Sequence, residues 1–234
     1  MGLCFAMTHL ISITSDALTA RINPHGAELW SLADAEGREY MTDGDPAFWT
    51  GHAPILFPIV GALNAGRYRL GDATYELPRH GFARTRAFDV AEQREGFIRF
   101  HLADDAATRA IYPFAFALDM IFRLDGRTLR MEARVTNTGA QALPFSFGYH
   151  PAFAWPLPGG ADPFVESGCF GGGFHAQFFF QRAATGFVLG QGGAPLAGAG
   201  LEQHRLTVGL LAPGVEGQQP GGKIHRHRIL AAGR

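Results

Sequence analysis

Cysteine is nearly missing from this 234-residue chain, which has only Cys4 and Cys169. Two thiols cannot frame a fold of this size with disulfides, so a reducing compartment, the cytoplasm, is expected. Lysine is rarer still, with Lys223 standing against 19 arginines. Neither basic residue occurs in the first twenty positions, so the charged opening of a secretory signal is lacking. Long hydrophobic runs are lacking too. "PILFPIV", which begins at Pro54, is the longest clean one and falls far short of a membrane span, so no membrane partner is expected. Gly2 invites comparison with a myristoylation signal, but Ala6 occupies the place that signal reserves for Ser or Thr. Charge of one sign is also absent in excess. A net charge of −1 provides no field for steering a polyanion, which excludes nucleic acid as an expected partner.

The hydrophobic content, 47%, is enough for a substantial core in a chain of this length. Its apolar residues mostly alternate, which is the period of a half-buried strand. Ile11 and Ile13, then Leu18, Ala20 and Ile22, precede a Pro24-His25-Gly26 turn, and Leu29 and Leu32 follow it. Tyr68/Leu70 and Tyr75/Leu77 flank Gly71-Asp72, and Phe97 to Leu102 alternates again. The clearest pattern sets Phe116/Leu118/Met120/Phe122 against Leu129/Met131/Ala133/Val135 about an Asp125-Gly126 signal, predicting a hairpin with one buried face. Nothing in the first 160 residues carries an apolar stripe at helical spacing over three turns. Strands at roughly ten-residue intervals point to an all-β, antiparallel sandwich or barrel. Strand character begins only after Met7, so Met1 to Ala6 read as lying outside the fold.

Composition changes after Gly160. Residues 161–234 hold 16 of the 31 glycines but only 10 of the 41 charged residues, and their alternation is poor. Stretches such as "FGGGFHAQFFF" and "GQGGAPLAGAG" supply few shaped side chains and carry a high backbone-entropy cost. A single sandwich domain over 1–234 with an atypical, incomplete C-terminal part is therefore expected.

Polar groups set among apolar ones concentrate in "FWTGHAPILFPIVGALNAGRY", "ELPRHGFAR", "NTGAQALPFSFGYHPAFAWPL" and the tail "KIHRHR". His80 and His150 each interrupt an aromatic-rich strand end with a group that titrates near neutrality. Either one alone fits a turn histidine; together they suit acid/base work in a pocket. His225 and His227 share a strand face, but nothing nearby completes a metal site, so a solvated basic tail is the simpler reading. Ser146 with His150 lacks a nucleophile elbow, and no phosphate-cradling glycine loop occurs. Phe82, Phe147, Tyr149 and Phe153 suit either the apolar face of a ligand or the core.

In "PILFPIVG", "YELPRHGFAR" and "PFSFGYHPAFAWPL", in that order, the chain resembles the aldose 1-epimerase (galactose mutarotase-like) family, in its shorter bacterial branch. "TARINPHGAELWSL" is similar to that branch's opening hairpins, and the resemblance covers about residues 8–160. It implies a supersandwich of two large antiparallel sheets and interconversion of the α and β anomers of a free aldohexose without metal or organic cofactor. It implies that His150 is the general acid at the ring oxygen and that His80 orients the sugar and polarises that oxygen. Arg67 and Arg84 stand near places where relatives carry an arginine, as does Ala62, and are the implied substrate-binding residues.

The family's base is a late glutamate, yet Glu166, Glu202 and Glu216 all lack its motif, with Glu202 the nearest substitute. A cleft without its base implies the alternative of a non-catalytic carbohydrate-binding relative. An interaction module whose histidines merely close turns is a third reading. The arginine bias points to GC-rich DNA, in which an out-of-frame reading yields Gly, Ala, Pro and Arg. A frameshift from about Asp162 is therefore expected. Another reading frame downstream of the Gly160 codon should restore alternating strands and a late Glu; if none does, this expectation falls.

Overall fold

The computed structural model of the chain describes residues 9–154, 158, 175–179 and 203–211. The expectations attached to Met1–Ala6, Cys4, Cys169, Glu166, Glu202, Glu216, His225 and His227 fall outside them. No helix among the described residues is long and apolar enough to cross a membrane.

The opening alternation folds as β1 (Ile11–Thr14), β2 (Leu18–Asn23) and β3 (Glu28–Asp34), an antiparallel sheet in that order. Leu29 and Leu32 lie three apart, which in a regular strand would send them to opposite faces. The register explains why both are fully buried. Arg21 pairs with Ser31 and Ile22 with Leu29, so Trp30 is the extra residue of a bulge.

Two short strands follow a long connection: β4 (Ile55–Leu56), which pairs with a later segment, and β5 (Arg67–Leu70), which pairs with β6 (Ala73–Glu76). Leu70 faces Ala73, leaving Gly71-Asp72 as the expected two-residue turn. Next come β7 (Asp89–Arg94), β8 (Phe97–Ala103), the helical turn α1 (Ala106–Ile111), β9 (Phe116–Asp125) and β10 (Thr128–Asn137). The helix begins at Asp105, whose carboxylate accepts the Thr108 N–H while the Thr108 hydroxyl bonds back to the Asp105 N–H. β11 (Gly148–Tyr149), β12 (His175–Phe179) and β13 (Gln203–Leu211) are the remaining strands among the described residues.

The larger sheet runs β12-β13-β10-β9-β8-β7, antiparallel throughout. Its two C-terminal strands lie in the segment whose alternation reads poorly. In β13, however, Leu206, Val208 and Leu210 stand opposite Ala133, Met131 and Leu129, a period-2 pattern carried by one nine-residue stretch. β1 packs on β9 and β2 on β10, setting the small sheet across the large one. The chain is thus an all-β fold of packed antiparallel sheets.

The β9–β10 hairpin forms as predicted, its loop falling on Gly126-Arg127 because Asp125 pairs with Thr128. The eight alternating residues predicted for its buried face are all buried. The other face is covered as well at its middle, where Asp119, Ile121 and Glu132 are buried. Charge there is paired: the His101 Nδ1 lies 2.8 Å from Asp119, Arg99 lies 3.4 Å from it, and Arg134 lies 3.3 Å from Glu132. Burial of carboxylates between strands is tolerable only with such partners.

One core runs from Ile13 to Val135. Its aromatic centre joins Phe57, Phe82, Tyr112 and Phe116, with Phe57 and Phe116 at 5.2 Å and Phe82 and Phe116 at 5.9 Å between centroids. Each such ring is worth about 1.5–3 kcal/mol in burial. Phe82, one of the aromatics open to either a ligand or the core, is core at 3% exposure. Phe147, Tyr149 and Phe153 are half-buried and pack against the same cluster.

Candidate active site

The segment "PILFPIVG" is a rail with a histidine-bearing strand end on each side. On one side, Tyr149 pairs with Ile55 and Gly148 with Leu56. The ladder extends through the Ser146 N–H to the Pro58 carbonyl at 2.8 Å and the His150 N–H to the Pro54 carbonyl at 3.1 Å. These bonds fix the backbone of His150, whose ring is exposed.

On the other side, the Phe57 carbonyl accepts the N–H groups of Phe82 and Ala83, at 3.0 and 3.2 Å. Gly81 lies directly against that oxygen. A Cβ at residue 81 would sit 2.1 Å from it and 2.4 Å from its carbon, and the backbone there is left-handed at φ +70°. Only glycine meets both demands.

His80 itself adopts φ +67°, and two reciprocal bonds hold it. Its main-chain N–H donates to the Gly61 carbonyl at 2.8 Å, while the Gly61 N–H donates to the ring Nδ1 at 3.0 Å. An Nδ1 that accepts leaves the proton of the neutral ring on Nε2, so His80 presents an N–H donor. Burial, then the Arg79 and Arg84 guanidinium groups and the His150 ring, lowers its pKa, which keeps it neutral.

The two imidazoles meet with ring centroids 6.5 Å apart. The two arginines are placed differently. Arg84 follows His80 directly after the Gly81 turn, and its Nη2 donates to the Arg79 carbonyl at 3.1 Å. Arg67 lies on the exposed β5–β6 hairpin, paired with Glu76 across it at 2.9 Å. Tyr149, one position from His150 on its strand, has its hydroxyl pKa raised by burial and by Glu132. It therefore belongs to the packed side.

Sequence reasoning missed Trp49, whose indole lies 4.9 Å from the His150 ring. The stretch containing it stood out for mixing polar and apolar residues. Nothing in the order of residues, however, places position 49 beside position 150; only the ladder between residues 54–58 and 146–150 does.

The sandwich, with its central rail gathering two histidines at one site, defines the class by its fold: antiparallel sheets packed about a rail that carries ionisable groups. The chain belongs to the aldose 1-epimerase family, whose model it matches over residues 9–162. It is 35% identical over 153 residues to the LacX proteins of Lactococcus lactis subsp. lactis, chromosomal and plasmid, covering 63% of this chain and 51% of each relative. The chain thus spans about half the length of the curated relatives it matches. Among solved structures it is similar to a galactose mutarotase related enzyme from Lactobacillus acidophilus, with 35% identity, a TM-score of 0.63, and coverage of 66% of this chain and 52% of that one. A galactose mutarotase-like protein from Lactobacillus casei gives 40% identity and a TM-score of 0.60, with 62% and 50% covered. The fold is galactose mutarotase-like.

Replacing Gly81 by Ala forces its methyl into the Phe57 carbonyl, and a loss of about 2–3 kcal/mol is expected in urea denaturation. A variant as stable as the parent would show that the approach is not required. The lowered pKa of His80 also has a signed consequence. The unfolded chain takes up the proton first, near the ordinary value of 6.5. The stability contribution is therefore complete above that pH and is lost as pH falls through the lowered folded value. Between about pH 7 and pH 5 the parent should lose more stability than His80→Asn, whose side chain does not titrate and tolerates positive φ. Parallel pH dependences would contradict this.

Proposed function

We propose that the chain is an aldose 1-epimerase acting on a free aldohexose, with His150 as general acid and His80 as the orienting and polarising group. The observation that carries this reading is the 6.5 Å approach of two imidazoles delivered by separate strand ends to one rail. Opening a cyclic hemiacetal requires a proton on the ring oxygen as the bond from C1 to that oxygen breaks, and removal of the proton from the C1 hydroxyl. His150, exposed and backbone-anchored, supplies the first. The neutral His80 donates its Nε2–H to a sugar oxygen and holds the ring in register. Rotation about the C1–C2 bond and reclosure, with proton transfers reversed, yields the other anomer. Arg84, beside His80, and Arg67, on the hairpin, donate to sugar hydroxyls in this reading.

The base is unassigned, since Glu166, Glu202 and Glu216 lie outside the described residues. A second reading, carbohydrate binding without turnover, draws support from one observation: among the described residues no carboxylate bonds to the ring of His80 or His150. Polarimetry of freshly dissolved α-glucose or α-galactose separates the two. Faster mutarotation that disappears in His150→Ala is the expected result. Sugar binding in calorimetry without any acceleration would establish the second reading instead, and no response in either assay would leave an interaction module.

A further inference from the structure

We infer that Trp49 is a positioning residue for the His150 imidazole. Its effect on turnover rests on the epimerase reading, whereas its effect on the ring does not. The main chain of His150 is tied to Pro54, but among the described residues no group hydrogen-bonds its ring. Many catalytic imidazoles are oriented by a carboxylate or carbonyl on the second nitrogen. Among the described residues two ring contacts stand in that place: Trp49 at 4.9 Å, tilted 40°, and His80 at 6.5 Å, tilted 47°.

Trp49 is 38% exposed, but its backbone and one edge of its ring are held. The Asp45 carbonyl accepts the N–H groups of Phe48 and Trp49 at 3.0 and 2.9 Å, and the Asp45 carboxylate accepts the Ala47 N–H at 2.8 Å. The indole then packs on the main chain of Gly51. A Cβ at that residue would lie 2.5 Å from Cζ2 of Trp49 and 2.8 Å from Cε2, closer than any side chain can approach. The Asp45 turn and the bare backbone at Gly51 thus hold the indole from one side, and the His150 ring meets it, tilted, from another. Phe48, the neighbour of Trp49, is 89% exposed and takes no part in this. An acid held by an aromatic contact keeps its aim without a hydrogen bond that would compete for its proton, and small errors of aim are costly to proton transfer.

The test uses the full chain, with the His150 ring C–H resonances assigned by their loss in His150→Ala. Trp49→Ala should move those resonances, because the indole ring current is gone, and lower kcat by about 10- to 100-fold with KM little changed. Trp49→Phe should recover most of the rate. Gly51→Ala, which displaces the indole without removing it, should shift the same resonances and serves if Trp49→Ala does not fold. Unmoved resonances in the folded variants would overturn the inference. So would a rise in KM at constant kcat, which would make Trp49 a sugar contact instead. If the parent chain has no epimerase activity, the proposed function fails, and the χ1 couplings of His150 then decide the role of Trp49: averaging over rotamers in Trp49→Ala supports it, and couplings unchanged from the parent overturn it.

Discussion

The Phe57 carbonyl accepts two main-chain N–H groups from the segment that follows His80, with nothing but glycine hydrogen between it and residue 81. The site depends on this contact. It brings the "RHGFAR" turn close enough for Gly61 to grip the His80 ring, and it leaves the opposite edge of the rail free to pair with Gly148 and Tyr149. The ring of Phe57 meanwhile faces Phe116 and Phe145 in the core. One residue therefore couples the packing of the sandwich to the spacing of the two imidazoles, and strain at the site is resisted by the interior as a whole.

Much of this was legible in the order of residues, for identifiable reasons. Alternation disclosed the hairpins because each has one face turned to the core, as in Phe116 to Phe122 against Leu129 to Val135. It also identified His80 and His150, which interrupt such patterns at strand ends. What stayed hidden came from contacts distant in sequence. The bulge at Trp30 appears in the sequence only as an odd spacing of leucines, and the second buried face of β9 and β10 requires knowledge of what covers it. Trp49 could not be linked to His150, since that juxtaposition is made by the rail and not by any local period.

The two histidines are alike in the sequence and different in the fold. The Nδ1 of His80 accepts the Gly61 N–H, and two nearby guanidinium groups and partial burial join it in favouring the neutral ring. His150 has a fixed backbone, an exposed ring and an aromatic neighbour. Such an asymmetry is what a reaction needs if one imidazole is to donate a hydrogen bond and the other a proton. It arises from ordinary strand pairing, because the two residues approach from opposite edges of one segment and meet different surroundings.

The β5–β6 hairpin is built on another principle. None of its eight residues is fully buried; the Leu77 N–H on the Gly66 carbonyl closes its base, and the Tyr68 hydroxyl on the Ile111 carbonyl stitches it to the body. Burial pushes that hydroxyl up to about 12, so the stitch persists through the neutral range. Even so, the hairpin's apolar anchorage is slight beside that of β8, β9 and β10. Arg67 rides on this flap while Arg84 is fastened to the rail. A bound molecule reaching both would be gripped by one hand fastened to the interior and one held out from it.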